Sequence, residues 1–201
     1  QQDLMCAYKI LLSNDDGSQS PFVEPFAEAL AGSAQCGELR MVFPAEEQSW
    51  IGQAVTRFRP LHAEKHRFVG RDGFLVNGTP ADCVGLGLDH LYPERADYVV
   101  SGINLGTNAS LPFYLSSGTV GAARHGFCFG VPSIAVSALL PSELFVLCRE
   151  HDLAGINRFA DEWRRVAKVC APLVTALLNP AMWNDVDLYS INVPWTANVD
   201  T

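Results

Sequence analysis

The run Ile10-Leu11-Leu12-Ser13-Asn14-Asp15-Asp16-Gly17 is an apolar, strand-like stretch that ends on two adjacent carboxylates and a glycine. A strand in an open α/β sheet presents such residues at its carboxyl end, where ligand crevices form, and Gly17 lets the chain turn directly after them. Adjacent carboxylates repel, so a cation or a shared proton is the usual reason to collect them, and the run reads as a metal or phosphate site. The alternative is an Asx turn, in which Asn14 and Asp15 close a loop.

Two further stretches belong with it. Asp97 to Ser101 runs into Gly102-Ile103-Asn104-Leu105-Gly106-Thr107-Asn108, a second strand end crowded with glycines and amides. Small residues there let a ligand approach the backbone, and Asn104 offers a neutral oxygen to a hard cation. Ser116-Ser117-Gly118-Thr119 precedes the apolar Val120-Gly121-Ala122-Ala123 and reads as a helix start whose hydroxyls and unpaired N–H groups suit phosphate. On its own such a run is more simply an N-cap. Together the three stretches describe one crevice with a cation at one side and phosphate donors at the other.

Other residue types compete for roles. Of the five histidines, only His62 and His66 have H-x-x-x-H spacing, and they flank charges in an irregular region that reads as solvated. His125 lies about two turns into the helix behind Ser117 to Thr119, out of reach of a phosphate at its start. His90 and His151 carry no pattern, and no histidine is assigned a catalytic role. Trp50, Phe113 and Tyr114 are aromatics near the crevice that could stack on a flat part of a ligand, with core or surface filling as the alternative. A phosphatase with an aspartyl nucleophile in a D-x-D loop fits worse, because the carboxylates are adjacent and Gly17 stands where the second would be.

The elements that must position these residues alternate. Tyr8 to Ser13, Leu39 to Phe43, Asp97 to Ser101, Ser133 to Ser137 and Leu188 to Val193 are short, nearly continuous apolar runs, as strands buried on both faces are. Helical patterns lie between them at Phe22 to Ala31, Pro80 to Leu91, Val120 to Phe127 and Ile156 to Leu178, the last with Ile156, Phe159, Trp163, Val166, Cys170 and Val174 on one face. This β–α alternation predicts an α/β fold with a mostly parallel sheet and helices on both sides. Gln48 to Gly73 breaks the alternation and reads as an excursion of short strands or a hairpin. Pro141 to Gly155 reads as a connector, part of it helical.

With 201 residues and 48% hydrophobic content the chain is expected to form one domain, 1–201, around one core. Its 14 Lys and Arg against 22 Asp and Glu leave a net charge of −8, which repels a nucleic-acid duplex but allows a small anionic ligand where a cation or backbone amides neutralise it. The six cysteines form no C-x-x-C pair and several sit in apolar runs, which favours buried thiols in a reducing compartment. No secretory leader and no membrane-length apolar stretch is recognisable, so a cytoplasmic protein without membrane contact is expected.

Ser13 to Gly17, Pro44 with Glu46 to Ser49, Asn77-Gly78-Thr79-Pro80-Ala81-Asp82-Cys83-Val84, Ser101 to Asn108 and Ser117-Gly118-Thr119-Val120 resemble, in order and at compatible spacing, the motifs of the SurE family. These are stationary-phase survival proteins that act as metal-dependent 5′/3′-nucleotidases. The similarity covers Tyr8 to Ser137, and Leu188 to Pro194 resembles a later family strand. It implies a Rossmann-like three-layer α/β/α sandwich. It also implies that Asp15, Asp16, Ser49 and Asn104 bind one divalent ion per subunit. The all-oxygen set suits Mg²⁺ or Mn²⁺ and argues against zinc. By the same resemblance a metal-activated water hydrolyses nucleoside 5′-monophosphates, with 3′-monophosphates a further class to test. Asp15, Asp16 and Asn104 are then catalytic, and Ser117, Gly118 and Thr119 hold the phosphate.

A homodimer or homotetramer is expected from the family and from Trp183, Val193 and Trp195, which suit an interface; the alternative is that these tryptophans cover the sheet. The chain departs from the family pattern at Ala109 to Ser117, which rims the crevice, and at Ser18 to Phe22; family members also continue past the counterpart of Thr201 into an arm exchanged between subunits. The altered rim and the absent tail keep a second function open, a nucleotide- or metal-binding oligomeric module with impaired turnover.

Overall fold

The computed structural model describes residues 7–199. In chain order the elements are β1 (Tyr8–Ser13), α1 (Val23–Ala31), β2 (Cys36–Pro44), β3 (Ala63–Phe68), β4 (Arg71–Val76), α2 (Pro80–Asp89), β5 (Tyr98–Leu105), α3 (Leu111–Ser116), α4 (Gly118–Cys128), β6 (Ser133–Leu139), α5 (Ser142–Arg149), α6 (Leu153–Asn157), α7 (Ala160–Ala176), a 3₁₀ turn (Pro180–Trp183) and β7 (Leu188–Pro194). The strands form one sheet in the order β3-β4-β2-β1-β5-β6-β7, parallel throughout except for β3. The chain winds outward from β1 through β2, then returns to the other side of β1 with β5. That reversal opens a crevice at the carboxyl ends of β1 and β5, where open α/β sheets bind ligands.

Both faces of the sheet are covered, which is why its central strands read as continuous apolar runs. Ile10 and Leu12 point into a core with Phe26, Leu30 and Trp163 of α1 and α7, while Leu11 between them points into a core with Val84, Leu88 and Ala122 of α2 and α4. The period-2 alternation of a strand thus feeds two helical layers. At one edge, β3 and β4 form the antiparallel hairpin expected within the Gln48 to Gly73 excursion, although β4 runs on to Val76 and joins β2. Glu64, Lys65, His66 and Arg67 stand exposed along β3, charges that discourage another strand from pairing there.

The Asn77 to Asp82 stretch is a helix start. Thr79 caps α2 by accepting from the Asp82 N–H at 3.1 Å, the Asp82 carboxylate accepts from the Thr79 N–H at 2.8 Å, and Pro80 follows the cap. Asp82 also accepts from the N–H and hydroxyl of Thr56 at 3.0 and 2.5 Å, and Asn77 accepts from the His62 N–H at 2.7 Å, so this corner ties down both ends of the long excursion.

Three local expectations change. The single helix read from Ile156 to Leu178 is two: Asp152 caps the short α6, which holds Ile156, and the chain bends before α7 begins at Ala160. The segment after Asn108 contains a short helix, α3, which the sequence pattern did not reveal. Trp183 and Trp195 pack on the molecule itself. Trp183 stands edge-on to Tyr189 with ring centroids 5.0 Å apart and donates to the Leu177 carbonyl, while Trp195 lies 4.6 Å from Trp163. They cover the sheet, so they no longer argue for a subunit interface. Cys36, Cys83, Cys128, Cys148 and Cys170 are free thiols, and Cys6 lies outside the described residues. No helix among the described residues is long and apolar enough to cross a membrane.

Candidate functional site

Strand β1 delivers its carboxylates at the crevice. Asn14 closes the turn behind them by itself: its amide donates to the Gly17 carbonyl at 2.9 Å and accepts from the Gly17 N–H at 3.0 Å, with Gly17 at φ +76°. The Asx turn therefore exists with Asp15 and Asp16 as its central residues, and their carboxylates take no part in its hydrogen bonds. Asp15 is buried and its Oδ1 accepts from the Thr119 hydroxyl. Asp16 Oδ2 accepts from the Leu105 N–H at 3.1 Å.

Leu105 is within reach because β5 carries an extra residue here: Ser101 pairs with Ala135 of β6, and Asn104 with Ser137. Such a bulge re-aims the strand end. It leaves Asn104 with its amide nitrogen donating to the Gly106 carbonyl at 2.7 Å, so that Oδ1 is the free end of the amide.

The electrostatics are those of carboxylates without a paired cation, although Arg149 lines the cavity on the Asp16 side. Burial pushes Asp15 up to about 6 against the hydrogen bonds from Thr119, which favour its charged form. Burial and the neighbouring Asp15 hold Asp16 well above the usual carboxylate range, and Glu47 adds a further negative charge to both. Among the described residues no Lys or Arg pairs with either aspartate. Two uncompensated carboxylates beside a neutral amide oxygen and a hydroxyl fit a hard divalent cation. No group of three or more His, Cys, Asp and Glu among the described residues could hold a metal, so such an ion would depend on the neutral oxygens as well.

Ser49 lies in the loop after β2, which is fixed to the strand end by the Gln48 N–H donating to the Asp15 carbonyl at 2.8 Å. Its exposed hydroxyl donates to Glu47 at 2.6 Å. A cavity of about 220 Å³ is lined by Asp15, Ser49, Asn104 and Ser117, and Asp16 and Ser49 line an adjoining one. All of the sequence-predicted ligand residues thus border one or other of two neighbouring cavities that share Ser49, Trp50, Leu105 and Phe145.

The predicted phosphate segment divides. Ser117 borders the crevice and caps α4, accepting from the Val120 N–H at 3.1 Å. Gly118 permits contact: a Cβ there would stand 2.8 Å from the Asp15 Cβ and 3.0 Å from the Gln48 carbonyl oxygen. Thr119 is fully buried and both its hydroxyl and its N–H serve Asp15, so the hydroxyl is not turned to a phosphate in the crevice. Sequence reasoning missed this because the partners lie 104 residues apart.

Trp50 and Phe113 stand beside the crevice with ring centroids 5.5 Å apart, whereas Tyr114 turns inward against Val120, Ala123 and Ala135. Phe145 and His151, from the connector whose structure the pattern left open, also line the adjoining cavity. His125 packs near Gly85 and Phe129, and burial pushes its pKa down.

The family model described as survival protein SurE matches residues 10–201. The chain belongs to the SurE family. The 5′-nucleotidase SurE of Methanocella arvoryzae is 36% identical over 195 residues, covering 96% of this chain and 70% of that protein. That of Methanosarcina barkeri is 34% identical over 197 residues, covering 98% and 71%. That of Geotalea daltonii is 43% identical over 135 residues, covering 67% and 52%. The crystal structure of the SurE protein from Aquifex aeolicus superposes with a TM-score of 0.71 at 32% identity, over 92% of this chain and 66% of that one. This SurE chain therefore spans from about half to about seven-tenths of the length of these relatives. The α/β sandwich expected from the resemblance is the SurE fold.

Proposed function

We propose that this SurE chain is a nucleotidase that hydrolyses nucleoside monophosphates with the help of one divalent cation, Mg²⁺ or Mn²⁺, per subunit. The observation that carries the reading is the pair of adjacent carboxylates, Asp15 and Asp16, with no cationic partner among the described residues and with neutral oxygens beside them. The names of its relatives, 5′-nucleotidases, support the substrate class.

In this reading Asp15, Asp16, Ser49 and Asn104 hold the cation, which when bound supplies the charge that lets a phosphate dianion enter and activates water for attack on phosphorus. Thr119 orients Asp15 and favours its ionised form. Ser117, at the start of α4 beside Asp15, binds a phosphate oxygen. Gly118 keeps the helix start and Asp15 in direct contact.

The test is release of inorganic phosphate from adenosine 5′-monophosphate and adenosine 3′-monophosphate, before and after exhaustive chelation and with Mg²⁺ or Mn²⁺ restored. Release that depends on the added cation supports the reading, and undiminished release after chelation defeats it. Cation-dependent binding of the nucleotide without phosphate release would instead favour the binding module. We also propose a homo-oligomer, supported by the exposed apolar side chains Val55, Phe58, Leu111 and Leu115. Sedimentation velocity over a concentration series tests it, and a monomer throughout defeats it.

A further inference from the structure

Glu47 stands near the paired aspartates without a cation of its own. Both Asp15 and Asp16 feel its negative charge, and among the described residues no Lys, Arg or His pairs with it. A third uncompensated carboxylate this close to two others adds repulsion, so its placement calls for a reason. It does not complete a set of direct ligands, because no three of the described His, Cys, Asp and Glu residues are placed to hold one ion. Among the described residues its carboxylate accepts one hydrogen bond, from the Ser49 hydroxyl at 2.6 Å.

The loop that carries both residues is pinned on either side of Ser49. The Gln48 N–H donates to the Asp15 carbonyl at 2.8 Å, and the Gly52 N–H donates to the Ser116 carbonyl at 2.8 Å. The loop also lies against the turn that follows β1: a Cβ on Gly17 would stand 3.5 Å from the Pro44 carbonyl oxygen and 3.7 Å from the Glu47 nitrogen. The backbone thus holds Ser49 at the crevice, while the direction of its hydroxyl proton is left to whichever acceptor takes it.

That direction decides what the oxygen can do. A serine hydroxyl has one proton and two lone pairs. Beside two carboxylates an unassigned proton would turn to one of them and occupy a lone pair that a cation needs. A proton committed to Glu47 leaves the aspartates clear and both lone pairs of Ser49 Oγ available, and a hydrogen bond to a full negative charge makes that oxygen a stronger ligand.

We propose that Glu47 is a positioning residue of the cation site: by accepting the Ser49 hydroxyl proton it presents Oγ, lone pairs first, to the divalent cation that Asp15, Asp16 and Asn104 share. Glu47 itself does not touch the ion. This inference rests on the role given to Ser49 in the nucleotidase reading.

The measurement is the affinity of the metal-free protein for Mn²⁺ alone, followed by electron paramagnetic resonance with no nucleotide present. Glu47→Ala removes the acceptor and should weaken binding by about tenfold, the lower end of what outer partners of metal ligands contribute. Glu47→Gln removes the charge but keeps an acceptor oxygen, so its affinity should stay within about threefold of the unaltered protein. Equal losses in the two variants would reveal a plain charge effect and overturn the inference.

Ser49→Ala supplies the second comparison. With the hydroxyl gone, adding Glu47→Ala should cost no more than about a further twofold, because the two residues act as a unit. A further loss of about tenfold in that background would mean that Glu47 acts on the ion without Ser49, and it too overturns the inference. Glu47 is exposed, so the Tm in chelator should hold in every variant; a fall in Tm that tracks the loss of affinity would reduce the contact to a structural one. Undiminished Mn²⁺ binding in Glu47→Ala, in a protein whose phosphate release still needs the cation, overturns this inference and keeps the nucleotidase reading. Absence of Mn²⁺ binding to the unaltered protein overturns both.

Discussion

Thr119 donates its hydroxyl to Oδ1 of Asp15, joining the first turn of α4 to the end of β1. The bond holds a carboxylate that burial would rather protonate, and so links the start of a helix to the charge of the crevice. Thr119→Val keeps the shape and removes the donor. The concentration of Mn²⁺ giving half-maximal phosphate release should rise about tenfold or more, in line with about 1–3 kcal/mol for a hydrogen bond to a charged group. Thr119→Ser should restore most of it. A change in KM for the nucleotide alone, at unchanged Mn²⁺ dependence, would return the hydroxyl to the phosphate.

Asp15 also sets a pH dependence of stability in the metal-free protein. Its carboxyl titrates at about 6 in the fold against an ordinary value of 3.8, so the fold favours the protonated form. The contribution of Asp15 to stability is therefore greatest below the ordinary value and declines as pH rises toward and through about 6. Asp15→Asn should flatten that decline and raise the metal-free stability near neutral pH, by an amount on the order of 1–3 kcal/mol that shows as a higher Tm, while abolishing turnover. Thermal melts across the pH range in chelator decide it. Parallel loss of Tm and activity would make Asp15 a structural residue.

Gly118→Ala tests the contact between α4 and Asp15. The added methyl would stand 2.9 Å from Asp15 Oδ2 as well as against its Cβ, so helix or carboxylate must shift by a few tenths of an ångström or more. Phosphate release should fall by about a hundredfold, the scale on which small displacements at a reacting centre are felt. Circular dichroism should show the fold retained, and activity within a factor of about two of the unaltered protein would sink the close-contact argument.

Asp82 carries the most hydrogen bonds of any carboxylate outside the crevice among the described residues, accepting from Thr56 and Thr79. Asp82→Ala removes the helix cap partner and unties Thr56, and it should cost about 2–4 kcal/mol in urea unfolding. The 50–62 segment should exchange its amide hydrogens faster. Unaltered exchange there would mean the excursion is held by other contacts.

What the sequence by itself determined is local in character. Ile10 to Leu12 and Tyr98 to Val100 read as strands because residues buried on both faces leave no polar period, and the elements that follow from them occupy the expected places. The crevice residues were legible for the same reason: Asp15, Asp16 and Asn104 stand at strand ends, and Ser117 at a helix start, where the chain's own pattern marks the boundary.

Only the tertiary structure decided which partner each group meets. Apolar periodicity says that a face is buried but not which surface buries it, so Trp183 and Trp195 covering the sheet, and Tyr114 turning in while Phe113 turns out, followed from the neighbours that the fold supplied. Ile156 matched the period of α7, yet the Asp152 cap and the bend before Ala160 assigned it to α6. Thr119 reaches Asp15, and Leu105 reaches Asp16, because the sheet order sets β5 beside β1 and a single bulge lifts the end of β5 over it. Contacts between residues about a hundred apart depend on that order of strands, and no local pattern in the chain encodes it.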